Sequence, residues 1–240
     1  YSSAASDVYK RQLLELHTGP TDVSFNDFDF GVADGANDPY FNMNYGNADI
    51  VSLQRVSHNT IDMGTRGDSL PFDSAHRGTG ITFAAAFTGG KGGFKNVQID
   101  HNTVKNVRMY RRGIGFWNNA ANSQDADIVA VVEHNTVMGW ARDMSNTNRY
   151  GVDTIGYCSG VQILHNFLHD LDYGIYLREW TSGNASSLTI FYNDIEAVLG
   201  IKLDNLASKN QIKNNRIDAS GPYSIELANG TSDNVVTKNI

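Results

Sequence analysis

The sequence predicts an all-β fold, a right-handed parallel β-helix of about seven rungs with an asparagine ladder, and three observations support that prediction. A motif of the form apolar-x-x-Asn-x-apolar recurs along the chain, and its last copies, at Asn193, Asn215 and Asn239, are 22 and 24 residues apart. A short segment of alternating apolar residues lies between successive asparagines, and glycine introduces most copies. The chain has 23 Gly but only 4 Pro, and abundant glycine and asparagine indicate tight turns rather than disorder.

The asparagine motif occurs in seven complete copies, and an eighth begins at the end of the chain. A short repeat of this kind is typical of a solenoid, in which like residues of successive rungs stack about 4.8 Å apart. We expect each asparagine to adopt the left-handed conformation at a turn and to bond the backbone and the next asparagine. The asparagines of the motif are Asn26, Asn59, Asn102, Asn135, Asn166, Asn193, Asn215 and, in the partial copy, Asn239.

Each rung is expected to contain three short strands. One strand precedes the asparagine and a second follows it, while the Gly-Ile-x-Leu element, as at 174–177 and 200–203, forms the first strand of the next rung. Its apolar residues alternate with period two, which is a strand pattern. We expect the glycine to permit a sharp corner at the start of that strand.

These rungs resemble the pectate-lyase-like superfamily, in which the same aligned asparagine lies at the turn between the second and third strands. The resemblance implies that active-site residues lie on the outward face of the first strands. It also implies calcium as an optional ion, although no cluster of Asp residues has convincing spacing, and we expect no required cofactor. An extracellular or periplasmic location follows from the same resemblance.

Residues 1–12 resemble translated library-adapter sequence, so we expect them to be a non-native or disordered leader. Residues 13–240 are predicted to form one β-helix domain that is truncated at its C-terminus, because the last repeat is cut off. The single cysteine excludes an intrachain disulfide framework. A net charge of −7 argues against nucleic-acid binding. No apolar run is long enough to insert into a membrane, and we expect a monomer.

Long insertions and arginines flank the first strand in the middle of the chain. Eight of the 11 arginines lie in the preceding turns or on the strand, at positions 66, 77, 108, 111, 112, 142, 149 and 178. Guanidinium groups suit carboxylate recognition and aromatic faces suit sugar rings, so an acidic polysaccharide is the expected partner. The alternative is that neighbouring acids simply pair with these arginines. The substrate-binding candidates are Arg112, Arg149, Trp117, Tyr157, Tyr173 and Trp180.

Outward residues of the first strands predict a catalytic cluster. A carboxylate, a phenol, a guanidinium and an ammonium could together remove the C5 proton of a uronate, because a cation beside its carboxylate acidifies that proton. The alternative is an ion-pair ladder in which Arg178 faces Asp204 and Lys202 faces Glu226. The first predicted row is Thr82, Gly115, Asp153, Tyr176, Lys202 and Glu226, and the second is Ala84, Trp117, Ile155, Arg178, Asp204 and Ala228.

One local match resembles the catalytic region of mannuronan C5-epimerases. It consists of the segment Tyr-Gly-Val-Asp at 150–153 followed by Gly-Ile-Tyr-Leu-Arg-Glu at 174–179. The resemblance implies that Tyr150 and Asp153 are catalytic and that Arg178 binds the substrate carboxylate. Thr154 and Ile155 occupy the positions of the family's Pro-His pair, and His169, in the turn before the next rung, is a candidate replacement.

Three function classes therefore stay open. The first is C5 proton abstraction on an acidic polysaccharide, as a lyase or an epimerase. The second is a non-catalytic sugar-binding or surface β-helix, and the third is a glycoside hydrolase that uses Asp153 with Asp204 or Glu226. We assign no metal ligands. Histidines precede four of the ladder asparagines, but Tyr192, Asn214 and Lys238 at the same position show that it accepts varied side chains.

Overall fold

The computed structural model describes residues 14–15, 20–29, 41–45, 51–63, 79–85, 93–107, 112–118, 127–140, 148–156, 158–178, 186–204, 206–228 and 230–240. All regular structure in these residues is β, in 21 strands whose pairings are parallel. One sheet contains one strand from each turn of the chain. Its strands are β2 (Thr21–Ser24), β5 (Gln54–Ser57), β8 (Phe94–Asp100), β11 (Ile128–Glu133), β14 (Gln162–Leu164), β16 (Thr189–Phe191), β18 (Gln211–Lys213) and β21 (Val235–Thr237).

The second sheet bends around the other sides of each rung and contains the predicted first strands. These are β1 (Leu14–Glu15), β4 (Phe41–Tyr45), β7 (Thr79–Ala85), β10 (Arg112–Asn118), β13 (Tyr150–Gly156), β15 (Phe167–Arg178), β17 (Asp194–Leu203) and β20 (Ile225–Leu227). The strands that follow the asparagines are β3 (Asp27–Asp29), β6 (Thr60–Asp62), β9 (Thr103–Val107), β12 (Thr136–Gly139) and β19 (Arg216–Ala219). In β15 and β17 the strand after the asparagine runs directly into the next first strand, and in β15 the two parts meet at a corner where Asp170 has a φ of 58° and the register shifts.

The parallel rungs confirm the predicted β-helix and its core. Inward residues of the first strands form a continuous apolar column, because the register pairs like with like from rung to rung. All members of that column are fully buried, and their burial supplies the hydrophobic stabilisation of the fold. The column consists of Ile81, Ile114, Val152, Ile175 and Ile201.

The asparagine ladder is present along the described rungs. Asn135 is typical: its backbone N–H and its Nδ2 both donate to Oδ1 of Asn166 at 3.0 Å, and its Nδ2 also donates to the carbonyl of Ile99 at 2.9 Å. The prediction that the asparagine itself is left-handed is wrong. The residue before it takes that conformation, with φ of 54° at His134 and 53° at His165, and this turns the chain so that the asparagine amide points inward.

The glycine at the start of each first strand is required for close approach, not for the predicted corner. These glycines lie in strands and have no positive φ. A Cβ on Gly174 would lie 2.3 Å from Cγ2 of Ile195 and 2.6 Å from the carbonyl oxygen of Gly200. The backbone of each rung therefore packs directly against the next rung and against an inward aliphatic side chain, and a larger residue does not fit.

A second, shorter asparagine ladder was not predicted. The backbone N–H and Nδ2 of Asn210 donate to Oδ1 of Asn234 at 3.0 Å, and Oδ1 of Asn210 accepts from the N–H of Leu188 at 2.9 Å. The signal in the sequence is a Ser-x-Asn pair at 208–210 and 232–234, repeated after 24 residues like the main ladder. Two copies were too few to stand out.

Candidate functional site

The outward residues of the first strands stack as predicted. The register pairs Thr82 with Gly115, Gly115 with Asp153 and Asp153 with Tyr176. Tyr176 in turn pairs with Lys202, and Lys202 with Glu226. The second row is confirmed from Ala84 through Trp117 and Ile155 to Arg178. The face that the sequence indicated therefore brings the predicted carboxylate, phenol and cations onto neighbouring rungs.

Asp153 lies at the centre of this face between two arginines. Arg178 donates from Nε and Nη2 to its two carboxylate oxygens at 2.8 and 3.1 Å, and Arg112 donates from Nε to Oδ2. The Asp153 side chain is 0% exposed, against 7% for Arg112 and 22% for Arg178. The carboxylate is thus enclosed, and the most exposed side chain of this triad is Arg178.

Three stacked tyrosines lie beside Arg178, and two of them contact its guanidinium. The rings of Tyr150, Tyr173 and Tyr176 stack with centroids 5.2–5.8 Å apart. Cζ of Arg178 lies 4.2 Å from the ring centroid of Tyr150 and 4.5 Å from that of Tyr176, within the range of a cation–π interaction. Arg178 is therefore held at its edge by Asp153 and lies over the rings of two phenols, which fixes its direction.

The electrostatics of the cluster keep the cation charged and the phenols neutral. Burial is the largest influence and would lower the pKa of Arg178, but the charge and hydrogen bonds of Asp153 together with the neighbouring Tyr150 and Tyr176 outweigh it, and the pKa is raised. Burial raises the pKa of Tyr150, and burial together with the hydrogen bond to Asp204 raises the pKa of Tyr176 well above its ordinary value. At neutral pH both phenols are proton donors rather than bases.

The predicted ion-pair ladder is correct for one pair and wrong for the other. Nζ of Lys202 lies 3.4 Å from Glu226, as expected. Arg178 pairs with Asp153 instead of Asp204, and Asp204 accepts the hydroxyl of Tyr176 at 2.7 Å. Lys202 also lies 5.5 Å from the ring centroid of Tyr176, so the two cations flank one phenol.

Arg149 has its own set of hydrogen-bond partners, and none of them belongs to the Asp153 cluster. Its Nε and Nη2 each donate to Asp172 at 3.1 Å, its backbone N–H donates to the same carboxylate, and Nη1 donates to the carbonyl of Trp140 at 2.8 Å. Both charged side chains are about one-tenth exposed. These contacts link the corner before β13 to β15 and favour a structural role over the predicted substrate contact.

The remaining predicted residues divide into those near the cluster and those away from it. Trp117 is half-buried, and Cζ of Arg112 lies 5.6 Å from its ring centroid. His169 lies before the corner of β15, where its ring packs 4.6 Å from Phe167 and its Nδ1 lies 3.2 Å from Asp170. The structure does not bring it to Asp153. Tyr157 and Trp180 lie outside the described residues, as do Arg66, Arg77, Arg108, Arg111 and Arg142.

The pair of Arg149 and Asp172 agrees with the alternative that neighbouring acids pair with the arginines. Sequence reasoning missed two contacts of the site, the bond from Arg112 to Asp153 and the bond from Tyr176 to Asp204. Both join residues offset from direct register, so the rung pattern does not reveal them. Among the described residues, the one group of three metal-ligating side chains lies elsewhere, at His58, Asp100 and His101. Calcium on the first-strand face therefore rests on the resemblance alone.

Comparison with known proteins agrees with this architecture. Residues 93–240 match the family described as "Right handed beta helix region". Neither the curated proteins nor the solved structures contain a match. No helix in the described residues is long and apolar enough to cross a membrane. Because the family match covers more than half of the chain and the described strands stack in parallel rungs, the chain belongs to the right-handed β-helix family.

Proposed function

We propose that this chain binds an acidic polysaccharide along the outward face of the first strands and abstracts a C5 proton from a uronate unit, as a lyase or an epimerase. The observation that carries the proposal is Arg178, whose charged side chain is 22% exposed, bonded to Asp153 and positioned over the rings of Tyr150 and Tyr176. A planar, preoriented guanidinium is suited to a carboxylate ligand.

The chemistry follows from placing a uronate carboxylate on Arg178. Neutralising that carboxylate makes the adjacent C5 proton more acidic and stabilises the charge that develops as the proton leaves. Lys202, beside Tyr176, is the group that we assign to remove the proton: its neutral amine takes the C5 proton and becomes the ammonium that pairs with Glu226. Tyr150 and Tyr176 keep their protons because their pKa values are raised. Either phenol can therefore donate a proton, to the leaving glycosidic oxygen in elimination or to the opposite face of C5 in epimerisation, and is left as a phenolate.

The role of Asp153 changes in this proposal. The epimerase resemblance implies a catalytic carboxylate, but the side chain is fully enclosed and bonded to two guanidinium groups. We assign it as a positioning residue that orients Arg178. Hydrolysis has less support, because each candidate carboxylate of the catalytic pair already has a partner: Asp153 is bound to Arg112 and Arg178, Asp204 to Tyr176, and Glu226 to Lys202.

A binding-only function is the second candidate, and one observation favours it. Both charged groups of the proposed reaction already have partners, Arg178 on Asp153 and Lys202 on Glu226. Such a face can hold a polyuronate without promoting turnover. The two candidates share the ligand and differ in the product.

The test uses the native chain with alginate and with polygalacturonate. Binding is measured by calorimetry, elimination by the ultraviolet absorbance of unsaturated uronates, and epimerisation by NMR of C5 proton exchange in deuterated water. Arg178→Gln should lower kcat/KM about 100-fold or more, which is about 2.7 kcal/mol of transition-state stabilisation. The matched control is Arg216→Gln, because Arg216 pairs with Asp194 at 3.0 Å on another face, and it should change activity less than twofold.

The outcomes separate the candidates. Binding and turnover that both depend on Arg178 support the proposal. Binding that depends on Arg178 without any product supports the binding-only function. Equal effects of the two arginine substitutions, or no affinity for either polymer, would overturn both. Circular dichroism and the unfolding midpoint of each variant show whether a loss reflects the site or the fold.

A further inference from the structure

The turn before each ladder asparagine carries a continuous row of stacked rings. Neighbouring ring centroids are 4.7–5.1 Å apart, and each ring belongs to a residue with φ between 53° and 59°. Since the left-handed turn repeats once per rung, the rings stack for the same reason as the asparagines. The row consists of Phe25, His58, His101, His134, His165 and Tyr192.

Two imidazoles of this row, those of His58 and His101, differ from the rest because one carboxylate lies close to both. Oδ1 of Asp100 is 3.1 Å from Nδ1 of His101 and 3.9 Å from Nδ1 of His58. One ligand atom from each of these three residues lies within 4.8 Å of the other two, which no other His, Cys, Asp or Glu trio among the described residues achieves. The register places Ser57 and Glu133 beside Asp100 in the adjacent rungs, and Leu164 beyond Glu133.

These separations suit a small metal ion. Nitrogen and oxygen ligands about 2.0–2.2 Å from a tetrahedral ion are about 3.4 Å from each other. The two nitrogen-to-oxygen distances, 3.1 and 3.9 Å, lie on either side of that value. Rotation of the histidine side chains can bring both distances to that value, because the His58 and His101 side chains are 39% and 51% exposed while Asp100 is 3% exposed.

Arg55 holds the carboxylate from the other side. Its Nε donates to Oδ2 of Asp100 at 3.2 Å and its Nη2 donates to Oδ1 at 3.3 Å. Each carboxylate oxygen has two acceptor positions, so Oδ1 can accept from Arg55 and still bind a cation. Outer partners of this kind fix the direction of a metal-binding carboxylate.

We propose that His58, Asp100 and His101 form a binding site for a divalent late first-row transition ion, with zinc as the reference ion. Two imidazole nitrogens and one carboxylate oxygen are the donors that such ions take, whereas calcium and magnesium prefer oxygen ligands throughout. Because the two histidine side chains are partly exposed, a water molecule can take the fourth coordination position of the ion.

The ion would join two adjacent rungs at the widest interval of the asparagine motif. Asn59 and Asn102 are 43 residues apart, more than any other neighbouring pair of the ladder, and His58 and His101 immediately precede them. A link across a long interval restricts the unfolded chain more than one across a short interval. The site therefore serves as a staple between β5 and β8, and it does not depend on the polysaccharide proposal.

The experiment titrates zinc chloride into the full chain by calorimetry and follows cobalt substitution by its visible absorption. The native chain should bind one equivalent and unfold at a higher temperature with zinc present. His58→Asn and His101→Asn should each weaken zinc binding tenfold or more. Asparagine suits the left-handed turn, as Asn214 at the equivalent position shows with φ of 55°.

His165→Asn is the matched control, because it lies in the same row but next to Leu164 instead of a carboxylate. It should change zinc affinity less than twofold. An equal loss in His165→Asn would show that the row binds zinc without the trio, and no binding by the native chain at millimolar zinc would exclude the site; either result overturns the proposal. Asp100→Asn tests the carboxylate. Because Asp100 is buried, this change can impair folding, and in that case the exposed His58→Asn still tests the site.

Discussion

The asparagine turn and the outward face of the first strands belong to the same rungs, yet they use the repeat in opposite ways. At the turn every described rung places an asparagine in the same position with the same bonds, as at Asn102, Asn135 and Asn166. On the first-strand face the register is equally regular, but successive rungs place Asp153, Tyr176 and other unlike residues side by side.

This difference shows which positions of a rung can accept different side chains. A buried amide at the turn must satisfy the backbone of two neighbouring rungs, so the same solution recurs. An outward side chain of the first strand must satisfy only its own neighbours, so carboxylates, phenols and cations can be combined. Variation on a fixed register is the property expected of a binding surface on a rigid scaffold.

The largest effect on stability is expected from Asp153→Asn, which removes the negative charge at the centre of the outward face. Removing the carboxylate charge leaves Arg112, 7% exposed, and Arg178, 22% exposed, without their shared anion. Breaking a buried ion pair in this way costs about 3–5 kcal/mol in the free energy of unfolding. Denaturant unfolding measures the loss. An unchanged unfolding free energy with lost activity would instead make Asp153 a catalytic group, contrary to the positioning role.

A somewhat smaller effect is expected from Asn166→Ala, which breaks the repeated turn. The change removes the acceptor of the Asn135 backbone N–H and the donor to the carbonyl of Val132, both in buried bonds. Two unsatisfied buried groups cost about 2–4 kcal/mol. Asn26→Ala, at the exposed end of the described ladder, should cost less than about 1 kcal/mol. Equal losses at the two positions would mean that the ladder does not act through burial.

Much of the fold could be predicted because the repeat itself is the structural unit. The ladder asparagines, the inward columns and the register of Asp153 against Tyr176 follow from counting along each rung. The backbone conformation at the turn did not follow, since the sequence cannot tell whether His134 or Asn135 takes the left-handed region. The glycines were interpreted as corners because a close approach, such as Gly174 against Ile195, is visible only once the rungs are packed.

The site could be predicted only as a list of residues on one face. Which groups pair depends on side-chain reach across strands, and the predicted partner of Arg178, Asp204, is wrong. Arg178 bonds Asp153, while the carboxylate of Asp204 accepts the hydroxyl of Tyr176. His169 was similarly proposed from proximity in sequence, although the corner at Asp170 separates it from the first-strand face.

A third prediction sharpens the comparison at Tyr176. Its raised pKa lies above the ordinary value of about 10, so its contribution to stability is present below pH about 10 and is lost as the pH rises through the folded-state value. Tyr176→Phe should cost about 1 kcal/mol at neutral pH through the lost bond to Asp204. It should also flatten the alkaline decline in the unfolding free energy. An identical alkaline decline in both proteins would contradict the assignment.

The smallest effect is expected from the pair of Lys202 and Glu226. Its size shows whether this ion pair stabilises the fold or can exchange Glu226 for a ligand on the first-strand face. Their side chains are 20% and 33% exposed and 3.4 Å apart, so solvent screens the attraction. A double-mutant cycle with Lys202→Met and Glu226→Gln should give a coupling of about 0.2–1 kcal/mol that weakens in high salt. Lys202 is then released from Glu226 at little cost when a polyuronate arrives. A coupling of several kcal/mol would instead make the pair as structural as Asp153 and its arginines, and Lys202 could not serve as the base.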